Sequence, residues 1–188
     1  LGRNQLNLQG AFLTGGISVN QGVLGVTFRR FMFGSMYGNN FTTKVNAPFA
    51  LLFIDSDIIL VDNVTFNSSS VWLYGVTNLI TAKKTLTIPN ILRFNFFTTL
   101  NVGSQTTLKV GKIWASEITS KLILENARLE YATTGTYSFF FNKTYIGGPH
   151  QGTLLIKGRS QLITQPGIEL FFNPASSLEF ETGSVLTI

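Results

Sequence analysis

The chain has 188 residues, with 17 Phe, 18 Gly, no cysteine and a formal charge of +5. The lack of cysteine excludes a disulfide scaffold, a thiolate metal site and a cysteine nucleophile. Charged residues at 12% and a mean hydropathy of +0.25 exclude bulk disorder, and abundant β-branched and aromatic residues beside few helix formers point to an all-β chain.

In chain order, Leu6-Asn7-Leu8, Ile17-Ser18-Val19 and Val23-Leu24-Gly25-Val26 read as short strands. Phe28 to Phe33 is aromatic and basic. Phe49 to Val61 reads as a buried strand pair bent at Asp55-Ser56-Asp57. Residues 1–65 are thus read either as an irregular or capping region, because a bare sheet edge needs cover, or as further coils of the same helix. From there the period-2 triplets crowd together. They are Leu86-Thr87-Ile88, Leu92-Arg93-Phe94, Leu100-Asn101-Val102, Leu108-Lys109-Val110, Leu122-Ile123-Leu124, Leu129-Glu130-Tyr131, Leu154-Leu155-Ile156, Leu178-Glu179-Phe180 and Leu186-Thr187-Ile188. In each triplet the outer residues share one face. Gly, Asn, Ser and Pro punctuate the intervals, as at Pro89-Asn90, Gly103-Ser104 and Gly183-Ser184.

Strands this short suit a chain that turns every few residues and stacks coil on coil at about 4.8 Å. Phe66, Phe97, Phe141 and Phe172 precede similar apolar triplets, with two equal intervals on either side of a longer one. Read as anchors of one stacked unit, they predict a repeat region over residues 66–188 with coils of roughly 20 to 31 residues. The expected architecture is a single domain over 1–188, a parallel β-helix or β-solenoid, with a β-sandwich or jelly roll as the alternative. The strand-like Leu186-Thr187-Ile188 and the start at Leu1 predict a fragment or a processed part of a longer chain.

These Leu-x-Val and Leu-x-Ile strands, joined by Gly-Ser, Asn and Thr turns, resemble right-handed parallel β-helix proteins. That group includes autotransporter passenger domains, polymorphic outer-membrane adhesins, phage tailspikes and pectate-lyase-like enzymes. The resemblance covers roughly residues 60–188 and is one of pattern. The adhesins' Gly-Gly-Ala-Ile and Phe-x-x-Asn tetrapeptides are matched only in part, by Gly15-Gly16-Ile17 and by adjacent Phe-Asn pairs.

Charge narrows the function classes. Residues 1–94 carry 7 basic and 3 acidic groups and residues 95–188 carry 7 and 6, and the basic ones are scattered, with only Arg29-Arg30 and Lys83-Lys84 adjacent. A nucleic-acid surface needs a denser patch, so no nucleic-acid partner is expected. The most apolar stretch, Ala47 to Val61, is broken by Asp55 and Asp57, so no transmembrane segment is expected either.

Candidate chemistry is sparse. Asp55 and Asp57 stand two apart and would share a strand face, as would Glu179 and Glu181. The first pair is a candidate for weak calcium binding. A glycosidase would need two carboxylates at roughly 5 to 10 Å. His150, the one histidine, follows Gly147-Gly148-Pro149 in a turn-rich stretch without a nucleophile elbow. No catalytic residue, metal site or cofactor is assigned. Trp72, Tyr74 and Trp114 are the candidates for stacking against a carbohydrate.

These readings predict an extracellular, cell-surface or virion-surface structural or interaction protein: an adhesin, a spike or a self-assembling fibre subunit. Expected partners are further copies, a larger assembly, a glycan or a cell-surface receptor. A polysaccharide-binding or polysaccharide-degrading β-helix protein is the first alternative and a small-virus coat protein the second.

Overall fold

A computed structural model describes residues 4–9, 12–13, 17–18, 24–29, 31–33, 43–54, 58–60, 63–80, 83–95, 97–115, 120–131, 152–164, 166 and 177–188. Every regular element among them is a strand. In chain order these are β1 (Asn4–Gln9), β2 (Phe12–Leu13), β3 (Ile17–Ser18), β4 (Leu24–Arg29), β5 (Phe31–Phe33) and β6 (Thr43–Ile54). There follow β7 (Ile58–Leu60), β8 (Val64–Leu73), β9 (Val76–Ile80), β10 (Thr85–Phe94), β11 (Thr99–Val102) and β12 (Thr107–Ala115). The last six are β13 (Ser120–Glu125), β14 (Arg128–Tyr131), β15 (Gly152–Lys157), β16 (Arg159–Ile163), β17 (Ser177–Phe180) and β18 (Val185–Thr187).

The chain alternates between two sheets. One runs β1-β4-β6-β8-β10-β12-β14-β16-β18, with β3 on β6, and the other runs β17-β15-β13-β11-β9-β7-β5-β2. The pairing is parallel at every junction, from β1 on β4 to β16 on β18 and from β2 on β5 to β15 on β17. The protein is therefore a parallel β-solenoid. The sandwich and jelly-roll alternative falls, because those folds pair antiparallel strands. The jelly-roll basis of the coat-protein reading falls with it.

Register explains the sequence pattern. Leu86 stands between Val64 and Leu108, Leu108 beside Leu129, and Leu129 beside Leu162. In the other sheet Leu100 stands beside Leu122, and Leu122 beside Leu154. These ladders point inward and are buried. Each large aliphatic side chain so buried contributes about 1.5 to 3 kcal/mol. The sequence step from coil to coil is nearly constant in this part. It is 22 from Ser68 to Asn90, 23 from Asn78 to Asn101 and 21 from Lys109 to Glu130. It lengthens to 33 from Asn126 to Arg159.

The Phe anchors are a correction. Phe66 is fully buried in β8, whereas Phe97 lies in the turn between β10 and β11, 70% exposed and at φ 53°. They occupy different points of the coil. Phe141 and Phe172 lie outside the described residues. Within residues 1–65, β4 and β6 pair in parallel like their successors.

The longest strands are broken by a corner. Between β10 and β12, Ile88 faces Val110 and Ile91 faces Lys112, so Pro89 and Asn90 stand opposite the single Gly111. This is a β-bulge. It accounts for a proline inside a central strand, because a bulge needs no ladder N–H at that point. The Asn90 side-chain amide reaches back to donate to Ser68 O at 2.5 Å, bonding one corner to the corner before it.

The other turns hold buried polar groups, most of which find partners. Thr98 Oγ1 donates to Leu73 O at 2.9 Å, and Ser120 Oγ, one coil later, donates to Asn95 O at 3.4 Å. Lys83, Gln105, Asn126, Gly158 and Gly183 take positive φ at the return from the second sheet to the first. Only Gly adopts that conformation without steric cost.

Candidate functional site

Three surface features gather the polar and aromatic side chains. The first is a stripe on β8, β10 and β12. Alternation turns Val71, Leu73, Leu92, Phe94 and Ile113 inward, so the residues between them face out. Arg93 pairs in register with Trp72 on one side and Trp114 on the other. Its guanidinium lies 4.0 Å from the Trp72 ring centroid and 5.0 Å from that of Trp114. Lys112 Nζ approaches Trp114 at 5.6 Å. Partial burial raises the Tyr74 phenol above its ordinary pKa, and the nearby Arg93 charge opposes that rise.

The structure thus brings Trp72 and Trp114 together around a residue that sequence reasoning passed over, with Tyr74 within the reach of its charge. Arg93 covers one face of each indole, and a cation so placed is worth about 0.5 to 2 kcal/mol. A sugar stacking on those faces would first have to displace the guanidinium. Arg93→Gln is expected to lower stability by about 1 kcal/mol and to change tryptophan emission, because both rings lose a stacked cation. A thermal melt followed by fluorescence checks both. An unchanged melt and spectrum would show that the stripe is not held by Arg93.

The second feature is a set of coil-to-coil polar pairs. Lys109 and Glu130 are register partners with Nζ and Oε1 2.7 Å apart. Arg128 reaches the same carboxylate at 3.4 Å. Asn101 Nδ2 donates to Asn78 Oδ1 at 2.6 Å. Glu179 and Glu181, on the outward side of β17 and just past it, are engaged separately. Ser177 Oγ donates to Glu179 Oε1 at 2.9 Å, and Lys157 Nζ lies 3.7 Å from Glu181 Oε1.

Among the described residues no three His, Asp or Glu side chains gather as metal ligands. The candidate calcium residues Asp55 and Asp57 lie outside the described residues, as does His150. Among the described residues no helix is long and apolar enough to cross a membrane.

The third feature is a groove of about 380 Å³ on the turn edge where the second sheet returns to the first. It spans successive coils and is lined by Gln105, Asn126, Arg128, Arg159, Gln161 and Thr187, with Thr106, Thr107, Ala127 and Ser160. Nothing in the sequence pattern gathered these residues, because the coil that separates Arg128 from Arg159 is longer than its predecessors.

Compared with known proteins, the chain matches no family model, no curated sequence and no solved structure.

Proposed function

We propose that the protein is a structural or interaction component working at a cell or virion surface: an adhesin, a spike or a subunit of a self-assembling fibre. The observation that carries this reading is the use of its outward polar side chains. Lys109–Glu130, Asn78–Asn101 and Trp72–Arg93–Trp114 each tie one coil to the next. A body built this way is a stiff rod whose stability is a sum of neighbour contacts.

A second observation supports association. The inward ladders Leu122–Leu154–Leu178 and Leu124–Ile156–Phe180 reach β17 and end there half exposed. Leu178 is 41% and Phe180 51% exposed, against 1% and 0% for Leu154 and Ile156 one coil earlier. Ladder ends of this kind accept a further strand layer, from a later coil of the same chain or from another copy.

The test is light scattering over a range of concentrations. The chain is expected to associate, and Leu178→Lys with Phe180→Lys to give monomers with an unchanged circular dichroism spectrum. A monodisperse monomer at every concentration would overturn the reading.

A further inference from the structure

We propose that the groove on the turn edge is a binding site for an acidic saccharide, a sugar unit carrying a carboxylate or a sulfate. The site is separate from the assembly face and does not rest on it.

The groove carries two guanidinium groups and no carboxylate, and its remaining side chains are amides and hydroxyls apart from Ala127. Such a surface selects a ligand that is anionic at one point and rich in hydroxyl groups elsewhere. It holds no aromatic platform, so it does not suit a stacked base. It holds no large apolar side chain, so it does not suit a lipid tail.

Arg159 is open to a ligand, and Arg128 shares its guanidinium with the Glu130 carboxylate. Glu130 is engaged first by Lys109 at 2.7 Å, and Arg128 approaches it only at 3.4 Å with its own side chain 44% exposed. Arg159 is exposed, and no described carboxylate pairs with it. Arg128 stands beside Gln161 in register, and Arg159 is two residues before Gln161 on the same strand face. Strand spacing and rise then put their Cα atoms about 8 Å apart. Arginine side chains rooted that close can reach one anionic group between them, and guanidinium forks bind carboxylate and sulfate-type oxyanions in bidentate fashion.

The backbone at the groove is fixed in advance. Gly158 sits at φ 60°, and a Cβ there would fall 2.3 Å from Asn126 Oδ1. The missing side chain lets the Asn126 amide lie across the turn, where its Oδ1 accepts from Arg159 N–H at 3.0 Å. Gly158 N–H in turn donates to Ser184 Oγ at 2.9 Å. Arg159 therefore leaves a held turn, and less order has to be imposed when a ligand binds.

Isothermal titration with defined probes tests the proposal: trigalacturonate, a sulfated trisaccharide, maltotriose and inorganic sulfate. One of the two acidic trisaccharides is expected to bind. Arg128→Gln and Arg159→Gln are each expected to weaken that binding roughly tenfold or more, while Arg93→Gln on the other face leaves it unchanged. Maltotriose should bind at least tenfold more weakly, and the two acidic arms separate carboxylate from sulfate. Circular dichroism melts confirm that the variants remain folded. The proposal is overturned if neither acidic trisaccharide binds, if inorganic sulfate binds as well as either, or if the arginine variants bind normally.

Discussion

Gly111→Ala is expected to lower stability by about 3 kcal/mol or more, as much as emptying a large core site. The added Cβ would sit 1.9 Å from Pro89 O, 2.7 Å from Asn90 O and 2.8 Å from Pro89 C. All three atoms are backbone of the preceding coil, so no side chain can swing aside. Relief requires β12 to move away from β10, which breaks the ladder on both sides of the bulge. Two other glycines calibrate the effect. At Gly183 a Cβ meets nothing within 4 Å, and only its φ of 79° opposes a side chain, which costs about 1 to 2 kcal/mol. At Gly103 a Cβ meets the backbone Leu79 O at 3.1 Å, a contact that asks a shift of only a few tenths of an ångström. Chemical denaturation of the three alanine variants should rank Gly111 far above the others. Equal midpoints would show that the corner is not packed as described.

Phe94→Ala should cost about 3 to 5 kcal/mol, the usual loss for emptying a buried phenylalanine site. Phe94 has no exposure and stands beside Leu73 on the neighbouring coil, itself buried. Phe97→Ala should change stability by no more than about 0.5 kcal/mol, because an exposed side chain contributes little. The two residues are three apart in sequence and differ only in where the coil places them. Thermal melts of the two variants separate this structure from the repeat read off the Phe spacing. If Phe97→Ala is the damaging change, Phe97 is an internal anchor after all.

That contrast shows what the sequence made legible. The apolar triplets such as Leu86-Thr87-Ile88 and Leu122-Ile123-Leu124 lie in strands with their outer residues inward, as alternation requires. The parallel coil followed from how short and close those triplets are. The period did not, for a physical reason. Inward sites accept any side chain that fills the ladder, so Val64, Leu86 and Leu108 share one and Phe66 or Tyr131 fills the next position along. Residue identity therefore does not mark phase.

The corners blur it further. Consecutive buried hydrophobic residues across the corner are Phe66 and Val71 in β8, Ile88 and Leu92 in β10, and Val110 and Ile113 in β12. The gap narrows by one position per coil while the rest of the coil adjusts. Trp72, Arg93 and Trp114 recur one coil apart in turn, so the stripe becomes readable only once the period is known. Trp72 and Trp114 were named as aromatic candidates, but nothing pointed to the cation between them. The groove was less legible still, since its arginines come from coils separated by the long interval between β14 and β16.

The chain stacks on itself in parallel, each coil directly over the one before and in a fixed register. The chain has no cysteine, so a designed pair reports on register without background. Thr87 and Lys109 face each other across β10 and β12. Their Cα separation, about 4.8 Å from the strand spacing, falls within the roughly 4.4 to 6.8 Å that a disulfide needs. The double variant Thr87→Cys with Lys109→Cys should close an intramolecular disulfide on mild oxidation, read as loss of free thiol. The pair Thr87→Cys with Lys112→Cys, offset further along β12, should stay reduced. Closure of the offset pair while the register pair stays open would contradict the parallel stack.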